Sequence, residues 1–111
     1  MIFVTLKMIV RPERRGAFIE TMRGMLEPTR VERGCLSYHL YEDVENKNAL
    51  VLLEEWATQE DLEKHISKDK QWLLALMDLL SEQPELRFNT VLHTSGMELV
   101  EDVLSKTQGA R

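Results

Sequence analysis

Ala49-Leu50-Val51-Leu52-Leu53 is an unbroken apolar run that leads into Glu54-Glu55-Trp56. It limits the possible folds more than any other stretch of the chain. A strand sends successive side chains to opposite faces, so a run without polar alternation needs cover on both sides. Ile2-Phe3-Val4 has the same character. Helices on one face of a four-stranded sheet leave the other face to be covered from outside. The pattern therefore predicts a homodimer whose two sheets pack face to face into a barrel-like core.

Taken in order, Ile2–Val10 reads as a first strand ended by Arg11-Pro12, with Pro12 at the first position of a helix, where its missing N–H costs nothing. Phe18, Met22, Met25, Leu26 and Thr29 recur at helical spacing. Pro28 predicts a kink or break near the end of that helix, and Gly34 closes the segment. Cys35–Glu42 alternates, with Leu36, Tyr38 and Leu40 on one face and Ser37, His39 and Tyr41 on the other. The polar turn at 43–48 joins it to the apolar run as a hairpin. Thr58 and Asp61 form a capping-box pattern before a helix that places Leu62, His65 and Ile66 on one face. Asp69 is a second N-cap candidate, ahead of Leu73, Leu76, Met77 and Leu80, with Trp72 on their flank. Pro84 stops that helix, and Leu86–Thr94 reads as the fourth strand. The order β-α-β-β-α-β, with the second helical segment broken in two, predicts an α+β ferredoxin-like domain over residues 1–95. The tail at 96–111 places Met97, Val100, Val103 and Leu104 at helical spacing, which predicts a short helix at the dimer interface that frays from Ser105.

The chain has 111 residues, enough for one domain with a real core. Its 19 acidic against 14 basic residues give a net charge of −5, which argues against a nucleic-acid or anionic-membrane surface. The single Cys35 forms no intrachain disulfide and points to a reducing compartment. It lies in a strand pattern with no activating motif, as a small buried hydrophobe would. Lys7 and Arg11 break the opening apolar run short of a signal-peptide core, and no run approaches transmembrane length. The expectation is a cytoplasmic protein with neither a membrane nor a nucleic-acid partner.

There is no G-x-G-x-x-G, P-loop or G-x-S-x-G pattern and no Cys or His pair at zinc spacing. The three scattered His with Glu54 have no spacing that supports a two-His, one-carboxylate iron site. Neither a metal nor a cofactor is expected. What remains is Glu54, Trp56 and His65, with Tyr38, His39, Tyr41 and Trp72 near them in the predicted topology. Glu54 and Trp56 lie two apart on one strand and point the same way. His65 sits on the sheet-facing stripe of the next helix. A His or Trp in such a place is more often core than catalyst. Glu54 fits a core least well, because a carboxylate among apolar neighbours needs a partner or a shifted pKa.

The entry Glu32-Arg33-Gly34-Cys35-Leu36-Ser37-Tyr38, the following Tyr41-Glu42-Asp43, then Leu53-Glu54-Glu55-Trp56 and Leu62-Glu63-Lys64-His65-Ile66 together resemble the antibiotic biosynthesis monooxygenase family, in its quinol monooxygenase-like branch. The resemblance runs from about Met1 to Thr94. It implies a dimeric α/β barrel and, by way of the family's oxygenases, oxidation of quinols or aromatic polyketides without metal or flavin. Heme-degrading relatives carry Asn, Trp and His where this chain has Leu6, His65 and Ala75, so heme degradation is disfavoured. Many quinol-type members have a second His close to where Lys70 stands here.

The expected activity is cofactor-independent oxygenation of a quinol or polycyclic phenol, with a homodimer and a small aromatic substrate as partners. In that reading His65 is the base and Glu54 orients or polarises it. Trp56, Tyr38, His39 and Trp72 would contact the substrate, although hairpin register leaves the faces of Tyr38 and His39 open. The alternatives are a non-oxidative isomerase and a non-catalytic ligand-binding dimer on the same scaffold.

Overall fold

The computed structural model describes residues 1–109. Strand β1 (Ile2–Ile9) leads through a short 3-10 turn at Pro12–Arg14 into helix α1 (Arg15–Arg30). Strands β2 (Cys35–Asp43) and β3 (Asn46–Trp56) form a hairpin, followed by α2 (Gln59–Lys68), α3 (Lys70–Met77), β4 (Glu85–Thr90) and α4 (Met97–Gly109). The sheet order is β2-β3-β1-β4 with every neighbouring pair antiparallel, which is the ferredoxin-like arrangement.

Strand parity decides what each face does. Ile2, Val4, Leu6 and Met8 of β1 and Leu50, Leu52, Glu54 and Trp56 of β3 are buried beneath the helices. All but Glu54 pack with Phe18 and Met22 of α1, Leu62 of α2 and Leu76 of α3 in a single apolar core. On the opposite face Phe3, Ile9, Val51 and Leu53 are only half-buried. No described element lies over that face, and every α4 side chain from Met97 to Thr107 is exposed.

Several local expectations are corrected. Helix α1 runs through Pro28 to Arg30, because a proline in the last turn forfeits only one donor before the helix ends anyway. The polar turn is shorter than the sequence suggests: Asp43 pairs with Asn46, and the Asp43 carboxylate accepts the Glu45 N–H. A register shift between Cys35 and Ser37 leaves Leu36 unpaired and exposed, off the face shared by Tyr38 and Leu40. Strand β4 ends at Thr90, opposite Ile2 at the start of β1, with one further backbone bond from the Val91 N–H to the Met1 carbonyl. Helix α4 continues past Ser105 to Gly109; positions 110 and 111 of the predicted tail lie outside the described residues.

Gly34 is where the chain turns from α1 into β2, at a φ of 82°. A Cβ there would run into the carboxylate of Asp61, in the first turn of α2. Both left-handed strain and collision therefore oppose any side chain. Gly34→Ala is expected to lower unfolding free energy by about 1–3 kcal/mol, read from the urea midpoint. An unchanged midpoint would mean that the α2 end moves freely away from this turn.

Candidate active site

His65 is placed by α2 with its ring inward and is 3% exposed. Thr58 caps this helix through the Asp61 N–H, which holds the first turn in register. The indole of Trp56 stacks on the imidazole, with centroids 4.7 Å apart, and Tyr38 meets it edge-on at 5.7 Å. Nδ1 lies 3.1 and 3.2 Å from the two carboxylate oxygens of Glu32, and 3.2 Å from Asp69 Oδ2. Hydrogen-bond geometry is met toward Glu32, and Asp69 Oδ2 remains buried with no donor. Carboxylate oxygens only accept, so in the neutral imidazole the proton stands on Nδ1 toward Glu32 and Nε2 is the acceptor nitrogen.

Glu54 lies on β3, directly across from Tyr38 and from Val4. Its Oε1 accepts the Trp56 Nε1–H at 2.9 Å. Burial raises its pKa above the ordinary carboxylate range, while the Trp56 hydrogen bond and the nearby His65 pull the other way. Tyr38 is raised as well, first by burial and then by the surrounding carboxylates, so its phenol stays protonated. Cys35 is pushed up to about 11 by burial and by Glu32 and Glu54, which makes it a poor nucleophile at neutral pH.

Glu54 and His65 share the wall of a cavity of about 230 Å³ between the sheet and α2–α3. Val4 and Leu6 line its floor, Leu62 and Ile66 of α2 and Leu73 and Met77 of α3 its roof, and Leu86 and Phe88 of β4 its side. Apart from the two ionisable groups the lining is apolar. Leu86 and Phe88 are each about half-exposed and mark the opening.

The six candidate residues thus divide. His65 and Glu54 reach the cavity. Trp56 and Tyr38 are fully buried and pack against His65 without lining it. Trp72 packs at the edge of the core and does not line this cavity. His39 is exposed beside Tyr41, with Nδ1 3.1 Å from Arg30 Nη2, and it does not line the cavity either. Sequence reasoning missed Glu32 and Asp69 as partners of His65. Asp69 does stand at the N-cap of α3, yet its side chain caps nothing and turns to His65 instead. The four-residue spacing of His65 and Asp69 was the available signal; Glu32, 33 residues away, offered none.

A four-stranded antiparallel sheet, helices on one face, and an apolar cavity with a buried His and Glu define a small ferredoxin-like α+β protein. Residues 1–71 match the family model described as antibiotic biosynthesis monooxygenase, and the chain belongs to that family. Over 80 residues it is 29% identical to a Bacillus subtilis protein named "Putative monooxygenase YcnE", covering 64% of this chain and 84% of that one. An uncharacterized protein of Synechocystis is 29% identical over 87 residues, covering 77% of this chain, and the match spans only 59% of that relative's length. The solved structure of Rv0793 from Mycobacterium tuberculosis superposes with a TM-score of 0.78 at 27% identity, covering 86% of this chain and 98% of that one. A conserved protein from Methanosarcina mazei is 32% identical, with a TM-score of 0.76, covering 79% of this chain and 89% of that one. Among the described residues no helix is long and apolar enough to cross a membrane.

The raised pKa of Glu54 sets the sign of a pH effect. The folded protein holds this proton more tightly than the unfolded chain does, so stability falls as pH rises from the ordinary carboxylate range through the raised value. Glu54→Gln removes the buried charge and keeps an oxygen for the Trp56 N–H. The variant is expected to melt higher than the parent at about pH 8, with the gap closing toward about pH 4, near the unfolded carboxylate pKa. A gap that does not change with pH would exclude ionisation of Glu54 as its cause.

Proposed function

We propose that the protein is a monooxygenase that oxidises a small phenol with dioxygen, using His65 as base and needing no cofactor. The observation that carries this reading is the buried imidazole at the cavity wall, its Nδ1 held by Glu32 so that Nε2 is left to accept a proton. An electron-rich phenol bound in an apolar cavity loses its hydroxyl proton to Nε2. The phenolate passes one electron to dioxygen, and the radical pair joins at a ring carbon bearing hydrogen. The resulting hydroperoxide loses water and leaves a carbonyl. One oxygen atom enters the product and the other leaves as water, so the substrate supplies all the electrons.

Glu54, which burial inclines to the neutral form, can donate a proton or hydrogen bond to the developing peroxide. Trp56 and Tyr38 act through His65, holding its ring plane, rather than by stacking on the substrate. Cavity size narrows the substrate class. The volume of about 230 Å³ exceeds the roughly 150 Å³ that accommodates benzene in an apolar interior. It lies below the roughly 300 Å³ at which sites for larger ligands begin. Phenols or quinols of one or two rings fit this better than larger polycycles. Trp56 packs behind His65 and outside the opening, which weighs against a plugged, non-catalytic dimer.

The half-buried face carrying Phe3, Ile9, Val51 and Leu53 supports a homodimer formed sheet to sheet, with the exposed apolar side of α4 available to the partner. Domain 1–95 would then be the folding unit and tail 96–111 an arm at the interface.

Oxygen uptake across a panel of one- and two-ring phenols and hydroquinols tests the activity. His65→Ala is expected to lower kcat by about 10²–10⁴-fold, the range for a lost general base. Turnover unchanged in that variant would remove the assigned base, and turnover without oxygen consumption would favour an isomerase on the same site. For assembly, Leu53→Arg is expected to convert a dimer to a monomer in sedimentation velocity at micromolar concentration, because it places a charge at the centre of the apolar face. A parent chain that sediments as a monomer would overturn the dimer.

A further inference from the structure

The group around His65 Nδ1 has more acceptors than one proton can serve. Glu32 and Asp69 both present carboxylate oxygens within 3.1–3.2 Å of that nitrogen. Only one N–H can stand there, and it bonds Glu32. Asp69, 7% exposed, keeps Oδ2 buried and aimed at the same point with no donor. Among the described residues neither carboxylate pairs with a Lys or Arg. Leaving a buried carboxylate oxygen without a partner is costly, so the cluster is better matched by a ligand with several coordination directions than by one proton.

The geometry points to a site for one divalent transition-metal ion, held by Glu32, His65 Nδ1 and Asp69. One ligand atom from each residue lies within 4.8 Å of the other two. Nitrogen and oxygen ligands stand about 2.0–2.2 Å from zinc. Two such ligands at tetrahedral or slightly smaller angles are then about 3.2–3.4 Å apart, close to the His65–Glu32 and His65–Asp69 separations. One imidazole and two carboxylates favour Zn²⁺ and its neighbours in the transition series over Mg²⁺, which prefers all-oxygen surroundings. Three protein ligands leave a further position for water. The site lies at the junction of the turn before β2 and the α2–α3 break, so it would also tie those segments together.

The metal site stands apart from the proposed oxygenation, but it bears on it. An ion on Nδ1 replaces the proton that Glu32 holds there, so the remaining ring proton moves to Nε2. In that state His65 cannot take a proton from a phenol. The cluster holds either a proton, with His65 competent as a base, or an ion, with that base silent.

Calorimetric titration of the metal-stripped full chain with ZnCl2 tests the site without any turnover. One Zn²⁺ per chain is expected, with a rise in Tm on saturation, since the unfolded chain lacks the site. Asp69→Asn and Glu32→Gln are each expected to weaken Kd at least tenfold. His39→Ala and His93→Ala, which change exposed imidazoles, should bind as the parent does. No zinc bound by the parent, or equal affinity in parent and Asp69→Asn, overturns the site. Should Asp69→Asn fail to fold, the imidazole ¹⁵N spectrum of the parent decides. Loss of the His65 Nδ1 proton signal on adding Zn²⁺ supports the site, and changes confined to His39 and His93 overturn it. Because every readout is binding, failure here leaves the oxygenase reading standing, and absence of oxygenase activity leaves the site standing.

Discussion

Crowding of carboxylates around a single imidazole is the constraint on which this interior depends. A buried ion without a partner costs several kcal/mol, and Glu54, Glu32 and Asp69 all surround His65. Each is relieved differently. Glu54 takes the Trp56 N–H, and burial inclines it to keep its proton. Glu32 takes the Nδ1 contact, and Asp69 gains proximity without a bond. Trp56 stacks on one face of the ring and Tyr38 meets it edge-on, which holds the imidazole in one orientation while it still lines the cavity.

That arrangement needs three separate segments to meet, and Gly34 couples two of them. The turn carrying Glu32 is fixed by Glu32 N–H to Thr29 and by Cys35 N–H to Glu32, both backbone bonds. Ala57, just before the cap of α2, donates its N–H to the Gly34 carbonyl. The missing Cβ of Gly34 then lets Asp61 of the α2 first turn approach closely. Spreading this contact would move α2 away from the Glu32 turn, and His65 away from its carboxylate. A backbone feature outside the cavity thus helps hold His65 Nδ1 against Glu32.

The architecture was largely legible because it rests on period and parity. The doubly apolar run in β3, the stripe of α1 and the cap at Thr58 each appear in the order of residues alone. Glu54 and His65 were legible for a related reason: an ionisable group on an apolar stripe stands out against its neighbours. Tyr38 could not be placed without register, and the shift at Leu36 is a one-residue event that no alternation pattern announces. Glu32 was opaque because its contact with His65 spans 33 residues. Asp69 was hidden by a competing role, since an Asp between two helical stripes reads as a cap until its side chain is seen to turn inward.

Strand β3 divides two demands by parity. Its inward row of Leu50, Leu52, Glu54 and Trp56 builds the core and reaches the cavity, while Ala49, Val51 and Leu53 form an outward apolar row. The two rows share a backbone and no side chains. Changes on the outward row therefore act on whatever covers that face and leave the imidazole cluster untouched, and changes on the inward row do the reverse. The cavity opens beside Leu86 and Phe88 on edge strand β4, on the helix side of the sheet. A second copy seated on the outward face would leave that opening clear. The half-buried outward row of β3 thus points away from the cavity that its inward row helps to wall.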